Sequence, residues 1–500
     1  MENLAIVYSR ALLGLHTPLV EVETHLSNGL AQFHIVGLPE TEVKESRDRV
    51  RAAILQSGFS FPTKKIIVNL APAELPKESG RFDLPIAISI LAASGQIQAD
   101  LSQYEFAGEL ALSGQLRAIR GGILIMQAAT QDNRVLIAPQ SNTIYNELAS
   151  GFSALFAENL TQVASHLNGI DSLVKCSLQS TILHSNSYAS LPDLNEVKGH
   201  QTAKKALEIT AAGGHNLLLI GPPGTGKSMI ANRLPSILPP LTSRELTENM
   251  MISSLLSDFQ INQNTCQRPF RSPHHSASAT AIIGGGSNPK PGEITLAHNG
   301  VLFLDELPEF DRKVLEVLRE PLETKQIHIS RATRQVTYPA NFQLIAAMNP
   351  CPCGFYGHPT YTCHCSPEQV KKYQNKLSGP FLDRIDLMIH MPAIPIEEIL
   401  QEQSQMESSE TIRKKIIKCR EIQYNRSDKL NNELSPKELD KNARIEEESK
   451  SFLMNNLKKL NLSTRSFYKI LKVARTIADL ETSVTVETKH IIQAISFRRT

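Results

Sequence analysis

The stretch Gly221-Pro-Pro-Gly-Thr-Gly-Lys-Ser228 has the residue types and spacing that do phosphate chemistry. It follows the apolar run Asn216 to Ile220 and precedes "MIANRL", the strand, loop and helix context of a P-loop. Gly221, Pro222, Pro223, Gly224, Thr225 and Gly226 let consecutive backbone N–H groups curl around a phosphate at a helix N-terminus. Lys227 can reach the β- and γ-phosphates, and the Ser228 hydroxyl can bind Mg²⁺. Such strings arise by chance, but a chance match lacks the flanking strand and helix.

Two further strands complete the chemistry. "GVLFLDEL" runs an apolar strand, Val301 to Leu304, into Asp305 and Glu306, at the end where open α/β sheets bind ligands. Asp305 is placed to hold Mg²⁺ through water, and Glu306 to polarise an attacking water. Adjacent carboxylates after a strand are common at surfaces; beside a P-loop they make ATP hydrolysis the leading reading. The run Phe342 to Met348 ends at Asn349, whose amide could orient the same water.

Just beyond Asn349, "CPCGFYGHPTYTCHC" gathers four of the seven cysteines. Cys351, Cys353, Cys363 and Cys365 can supply four thiolates to a tetrahedral Zn²⁺, with His358 or His364 as a substitute for one of them. Four thiolates would close the coordination sphere, so the expectation is a structural zinc and not a reaction centre. Reduced, unligated cysteines are the plainer alternative.

The elements that must position these groups occupy a chain of 500 residues, enough for about three domains. The hydrophobic share of 41% suits a globular protein, and 52 basic against 50 acidic residues leave a formal charge of +2, so any contact with a polyanion must be local. The longest uncharged apolar stretch, near Leu84 to Ala93, is too short to cross a bilayer, and the cysteines form no secreted framework, so the chain is expected to be cytoplasmic. Residues 1–165 mix short apolar runs with an amphipathic helix carrying Val43, Val50, Ile54 and Leu55; 166–192 is a serine-rich linker. Residues 193–395 alternate strands and helices as a mostly parallel sheet requires, and 396–500 is helical, with 397–450 expected to be a solvated set of helices.

Two segments look like projections. "SPHHSASATAIIGGGSNPKPGEI", containing His274, His275 and Lys290, has the glycines and prolines of an exposed loop. The two histidines could be metal ligands, DNA contacts or packed rings; adjacent side chains rarely meet one ligand, which favours a structural or pore-loop role. "KQIHISRATRQVTYP" reads as a hairpin with Arg331 and Arg334 at or near its tip.

The segment from "DLNEVKGHQTAKKALEI" through these motifs resembles the AAA+ ATPases, which makes Lys227 and Ser228 Walker A, Asp305 and Glu306 Walker B, and Asn349 sensor 1. "LSGPFLDRIDL" resembles the arginine-finger stretch, so Arg384 is the candidate that reaches a neighbour's γ-phosphate. "LSTRSFYKILKVARTIADL" resembles the sensor 2 helix, with Ser463 as N-cap and Arg465 facing nucleotide. Over nearly the whole chain, "VNLAPAELPKESGRFDLPIAI", "RPFRSPHHSASATAIIGGGSNPKPGEITLAHNGVLFLDELPEF" and "NPCPCG" resemble the YifB/ComM family of Mg-chelatase-like AAA+ proteins.

That resemblance implies an α/β fold: an AAA+ core with a helical lid, behind an α+β domain of the ribosomal-S5-like, Lon-protease-like kind. Active Lon domains use a serine and a lysine, but the corresponding positions here hold residues such as Asp83 and Ile123, leaving no activated nucleophile. The resemblance further implies ATP and Mg²⁺ as cofactors, a homohexamer, DNA in its pore and branch migration during recombination and natural transformation. In such a ring Arg331, Arg334 and Lys290 would meet phosphates. The alternative is a chelatase-like or protein-remodelling motor that does not act on DNA; a scaffold with a relic P-loop conflicts with intact Lys227, Ser228, Asp305 and Glu306.

Overall fold

Alternation of buried and outward side chains organises the first strands of the chain, as in Lys65–Ala71, where Ile66, Val68 and Leu70 face inward. The computed structural model describes residues 3–38, 40–142, 152–173, 188, 190–256, 263–286, 289–330, 335–358, 360–394, 407–459 and 463–498. The chain separates into two compact units, residues 1–185 with 246–265, and residues 186–245 with 266–500.

The first unit contains a seven-stranded mixed sheet in the order Gln32–Val36, Lys65–Ala71, Leu19–Ser27, Leu4–Arg10, Tyr104–Phe106, Val135–Pro139, Ala154–Ala157. Thr41–Gln56 carries Val43, Val50 and Ile54 into its core as the periodicity predicts, while Leu55 is exposed. Asp83 opens the helix Asp83–Ala93 fully buried, accepting from Arg49 Nε at 2.8 Å, from the Leu110 N–H at 3.2 Å and from the Ser46 hydroxyl. Burial pushes its pKa up even so. Asp83 is thus a structural anchor, and Ile123 is buried in the helix Gly122–Gln131.

The second unit is built on a five-stranded sheet in the order Phe270–Arg271, Val301–Leu304, Gln343–Met348, Leu217–Ile220, Leu387–His390, every pair parallel. Val301–Leu304 is buried along its whole length, as a strand covered on both faces must be. One hydrophobic core runs from Leu194 to Phe497 and includes the sheet and the C-terminal helices together, so the core and lid expected as 193–395 and 396–500 share their interior.

The helix Ser409–Ser427 shows why. It was expected to be solvated, but it buries Ile412, Ile416, Cys419 and Gln423, and Gln423 Nε2 donates to Ala212 O at 3.1 Å while Arg420 Nε donates to Ala211 O at 3.0 Å. Its polar sequence conceals this because Arg420 and Gln423 bind carbonyls at the end of the helix Gln201–Gly213. Ser463 caps Thr464–Leu480 by accepting from the Ser466 N–H; Ile470, Leu471, Ala474 and Ile477 are buried, and Phe467 on the same side is partly buried.

That last helix also holds a buried charge cluster. Asp479 accepts from Arg426 at 2.7 and 2.8 Å, from Arg475 at 2.9 Å and from Asn431 Nδ2 at 2.8 Å, with Arg475 and Asp479 each 1% exposed. Removing one partner strands the other charge in a medium that cannot solvate it. Asp479→Ala should therefore destabilise the second unit by about 3–5 kcal/mol, read from its urea unfolding midpoint.

Candidate nucleotide site

Parallel strands deliver their carboxyl ends to one edge, and three of the predicted groups meet there. Ile220 runs into the P-loop, Leu304 into Asp305 and Met348 into Asn349. Gly224 and Gly226 take φ values of 80° and 79°, the left-handed backbone that lets the loop curl before the helix Lys227–Ala231. A Cβ at Gly224 would meet nothing within 4 Å, so the loop has open space beside it there. Thr225 closes the loop from within, its hydroxyl donating to Pro222 O at 2.9 Å.

Lys227 is buried, and its Nζ donates to Gly221 O at 2.7 Å, Pro222 O at 2.8 Å and Asn349 Oδ1 at 3.1 Å. Burial lowers its pKa, against the pull of Asp305 and Glu306. Ser228 Oγ donates to Asp305 Oδ2 at 2.6 Å, so the two residues expected to hold Mg²⁺ already face one another. The donor set fits a nucleotide with its Mg²⁺: an ammonium, a hydroxyl, a carboxylate and an open loop of backbone. When bound, Mg²⁺ would neutralise charge on the phosphates.

Glu306 sits at φ 51°, an uncommon conformation for a non-glycine residue and one found where a site constrains the backbone. Its N–H donates to Asp305 Oδ1 at 2.9 Å. Its carboxylate is 3.0 Å from His275 Nδ1, and the His274 and His275 rings lie 4.2 Å apart. The sequence reading favoured a structural or pore-loop role for these histidines and missed this contact. The signal lay in the sheet order: "SPHHS" follows Phe270–Arg271, which pairs with Val301–Leu304 and so ends beside Glu306.

The arginines go elsewhere. Arg384 Nη2 donates to Glu323 Oε1 at 2.6 Å, Arg465 Nη2 approaches the same oxygen at 3.4 Å, and Arg465 Nη1 is 4.0 Å from Asp383 Oδ2. Together they line a cavity of about 420 Å³ with Asn216, Lys325 and Lys469. Asn216 precedes the P-loop strand and its Nδ2 donates to Arg384 O at 3.0 Å, which places this cavity at the amino end of the sheet. The structure therefore does not bring Arg384 or Arg465 to the P-loop of their own chain. The Nε of Arg384 is buried without a hydrogen-bond partner among the described residues.

The cysteine sulfurs of Cys351, Cys353, Cys363 and Cys365 lie within 4.8 Å of one another. His358 is not among them: its Nδ1 accepts from the N–H groups of Thr360 and Tyr361 at 3.1 and 3.0 Å. The Phe355 N–H, above all, holds the Cys353 thiol down to about 6, while, against a backbone N–H, desolvation and the neighbouring sulfurs push Cys363 and Cys365 up, so without a metal the cluster favours a single thiolate. Lys290 is exposed on a short ribbon, Gly284–Gly285 with Lys290–Pro291. The hairpin exists, Gln326–Ser330 paired with Gln335–Pro339, and buries Ile327, Ile329, Val336 and Tyr338; Arg331 and Arg334 fall outside the described residues. Tyr338 Oη donates to Pro289 O at 2.8 Å, so the ribbon carrying Lys290 lies against the hairpin.

A P-loop, a paired serine and aspartate, and an asparagine on adjacent strands of this parallel sheet define an AAA+ ATPase, and family models support that class. Residues 193–399 match the model described as magnesium chelatase, subunit ChlI; residues 22–142 match subunit ChlI of Mg-chelatase; and residues 406–498 match the magnesium chelatase subunit ChlI C-terminal model. The chain is 50% identical over 498 residues to the protein YifB of Salmonella typhimurium, and 49% identical over 500 residues to the competence protein ComM of Haemophilus influenzae, in each case covering 99% of this chain and 97% of the relative. It is also 26% identical over 171 residues to an MCM-type protein of Methanocaldococcus jannaschii, covering 31% of this chain and 20% of that one. The chain belongs to the YifB/ComM family of Mg-chelatase-like AAA+ ATPases.

The His275 contact yields a direct test. If it aims Glu306, His275→Ala should lower kcat for ATP by roughly ten- to a hundredfold. The KM should barely change, because a Glu306 that polarises water would make no contact with bound phosphate. His275→Gln, which keeps a hydrogen-bond donor, should recover part of the loss; an unaltered kcat in His275→Ala would show that the contact is incidental.

Proposed function

We propose that this chain is an ATP-driven DNA motor, a branch-migration helicase that works as a homohexamer in recombination and natural transformation. The observation that carries the motor is the 2.6 Å contact of Ser228 with Asp305 under a desolvated Lys227, the geometry of a hydrolytic P-loop site. Lys227 would neutralise the β- and γ-phosphates, Ser228 and Asp305 would hold Mg²⁺, and Glu306 would take the proton of the attacking water while Asn349 orients it. Arg384 and Arg465, at the opposite edge of the sheet, would complete the site of the next subunit.

DNA as the track is supported by the full-length likeness to a competence protein and the partial likeness to an MCM-type protein. It is also supported by the exposed Lys290 on a ribbon that lies against the hairpin, to which Arg331 and Arg334, between the hairpin's two strands in the sequence, would add positive charge. The proposed compartment is the cytoplasm. Among the described residues, no helix is long and apolar enough to cross a membrane. The four cysteines would hold one structural Zn²⁺: Sγ–Sγ distances of 3.4, 3.5 and 3.7 Å approach the roughly 3.8 Å edge of a tetrahedral zinc thiolate site.

The second reading, a chelatase-like motor acting on a protein or a metal-carrying partner, is favoured by the chelatase name of all three matching family models. DNA separates the two. The motor reading expects ATP turnover to rise with single-stranded or branched DNA and a labelled branch to be displaced; neither effect would leave the chelatase-like reading. Replacing Lys290, Arg331 and Arg334 by alanine should weaken DNA binding and reduce the slope of log affinity against log salt by about one unit per lost phosphate contact.

A further inference from the structure

The cysteine cluster and the nucleotide loop are joined by one short knuckle. Cys351, the most buried of the four, lies two residues after Asn349, whose Oδ1 receives the Lys227 ammonium at 3.1 Å. The chain then turns back on itself, with the Gly354 N–H donating to Cys351 O at 3.0 Å and the Tyr356 N–H donating to Cys351 Sγ at 3.3 Å. At the tip of this turn Gly354 has φ 86°, and a Cβ there would stand 2.7 Å from Pro223 Cδ. One turn therefore carries two of the four sulfurs, leans on the phosphate loop, and begins two residues after Asn349, which accepts from Lys227.

We propose that Zn²⁺ at the four cysteines and ATP at the P-loop bind cooperatively, coupled through the Cys351–Gly354 turn. This rests on the zinc and nucleotide readings given under Proposed function. Without metal, the four sulfurs within 4.8 Å of one another are held only by weak S–H contacts and a few backbone N–H groups, and any thiolates among them repel. The turn then gains freedom, and ATP must spend binding energy to order Pro223 and Asn349. With metal bound, that ordering is already in place. Coupling of this kind is reciprocal: ATP must raise the affinity for zinc by the factor by which zinc raises the affinity for ATP. The mechanism needs no change in the residues that touch phosphate, and it makes the metal site a determinant of nucleotide occupancy.

The test uses the full chain, with zinc content measured first. The Kd of a fluorescent, non-hydrolysable ATP analogue is measured on zinc-loaded and zinc-stripped protein, and zinc affinity is measured against a chromophoric chelator with and without that analogue. Both affinities should shift by the same factor, about tenfold. Gly354→Ala removes no ligand and should keep one zinc per chain, yet its methyl crowds Pro223, so the zinc-loaded variant should bind the analogue several-fold more weakly. Stoichiometric zinc with equal nucleotide affinity in both states would overturn the coupling and leave the zinc site standing. A chain that takes up no zinc would overturn both. If stripping unfolds the protein, a zinc-loaded Gly354→Ala that binds the analogue like the parent would by itself overturn the coupling.

Discussion

The direction of five strands governs this molecule. Because every strand of the second unit's sheet runs the same way, the groups that follow the strands gather at one edge and the groups that precede them gather at the other. Lys227, Asp305, Glu306 and Asn349 come after; Asn216, Arg384 and Asp386 come before. Four residues of strand at about 3.3 Å each put roughly 13 Å of buried backbone between the two edges. On the proposed reading, a chain folded this way holds one half of a hydrolytic site at each edge, and neighbouring chains bring the halves together.

The arginine edge is made stiff by a buried carboxylate. Asp386 accepts from the Asn216 N–H at 2.9 Å and pairs with Lys469, one helical turn after Arg465, at 3.0 Å. Burial opposes its charge, but Lys469, His215 and the Asn216 N–H more than offset this, so its carboxyl is held well below the usual range. Because the folded pKa is depressed, the stabilisation is present above the unfolded value of about 3.9 and disappears only as pH falls through the lower, folded value. At neutral pH one side chain thus ties the Arg384 loop to the helix that bears Arg465.

How far the sequence could be read depended on how local each feature is. The P-loop was legible because its glycines, lysine and serine are consecutive and their meaning lies in the turn they make. Asp305, Glu306 and Asn349 were legible because each ends an apolar run, and the hairpin Gln326–Ser330 with Gln335–Pro339 because Ile327 and Ile329 alternate with polar neighbours. The His275 contact with Glu306 was not, since it needs the order of strands in the sheet, which no local pattern contains. Nor was the position of Arg465: the burial of Ile470, Leu471, Ala474 and Ile477 fixes which side of its helix is free, but not which edge of the sheet that helix meets. The helix Ser409–Ser427 misled for a related reason, because Arg420 and Gln423 are polar residues spent on carbonyls in the interior.

The split of the site between two edges can be measured by mixing subunits. Lys227→Ala removes the phosphate half and keeps the arginine edge; Arg384→Ala does the reverse, and each alone should lose on the order of a thousandfold in ATP turnover. If the two halves meet across chains, an equimolar mixture of the two variants contains interfaces with both halves intact, and its turnover should rise well above that of either variant. A mixture no more active than the mean of its components would contradict the account.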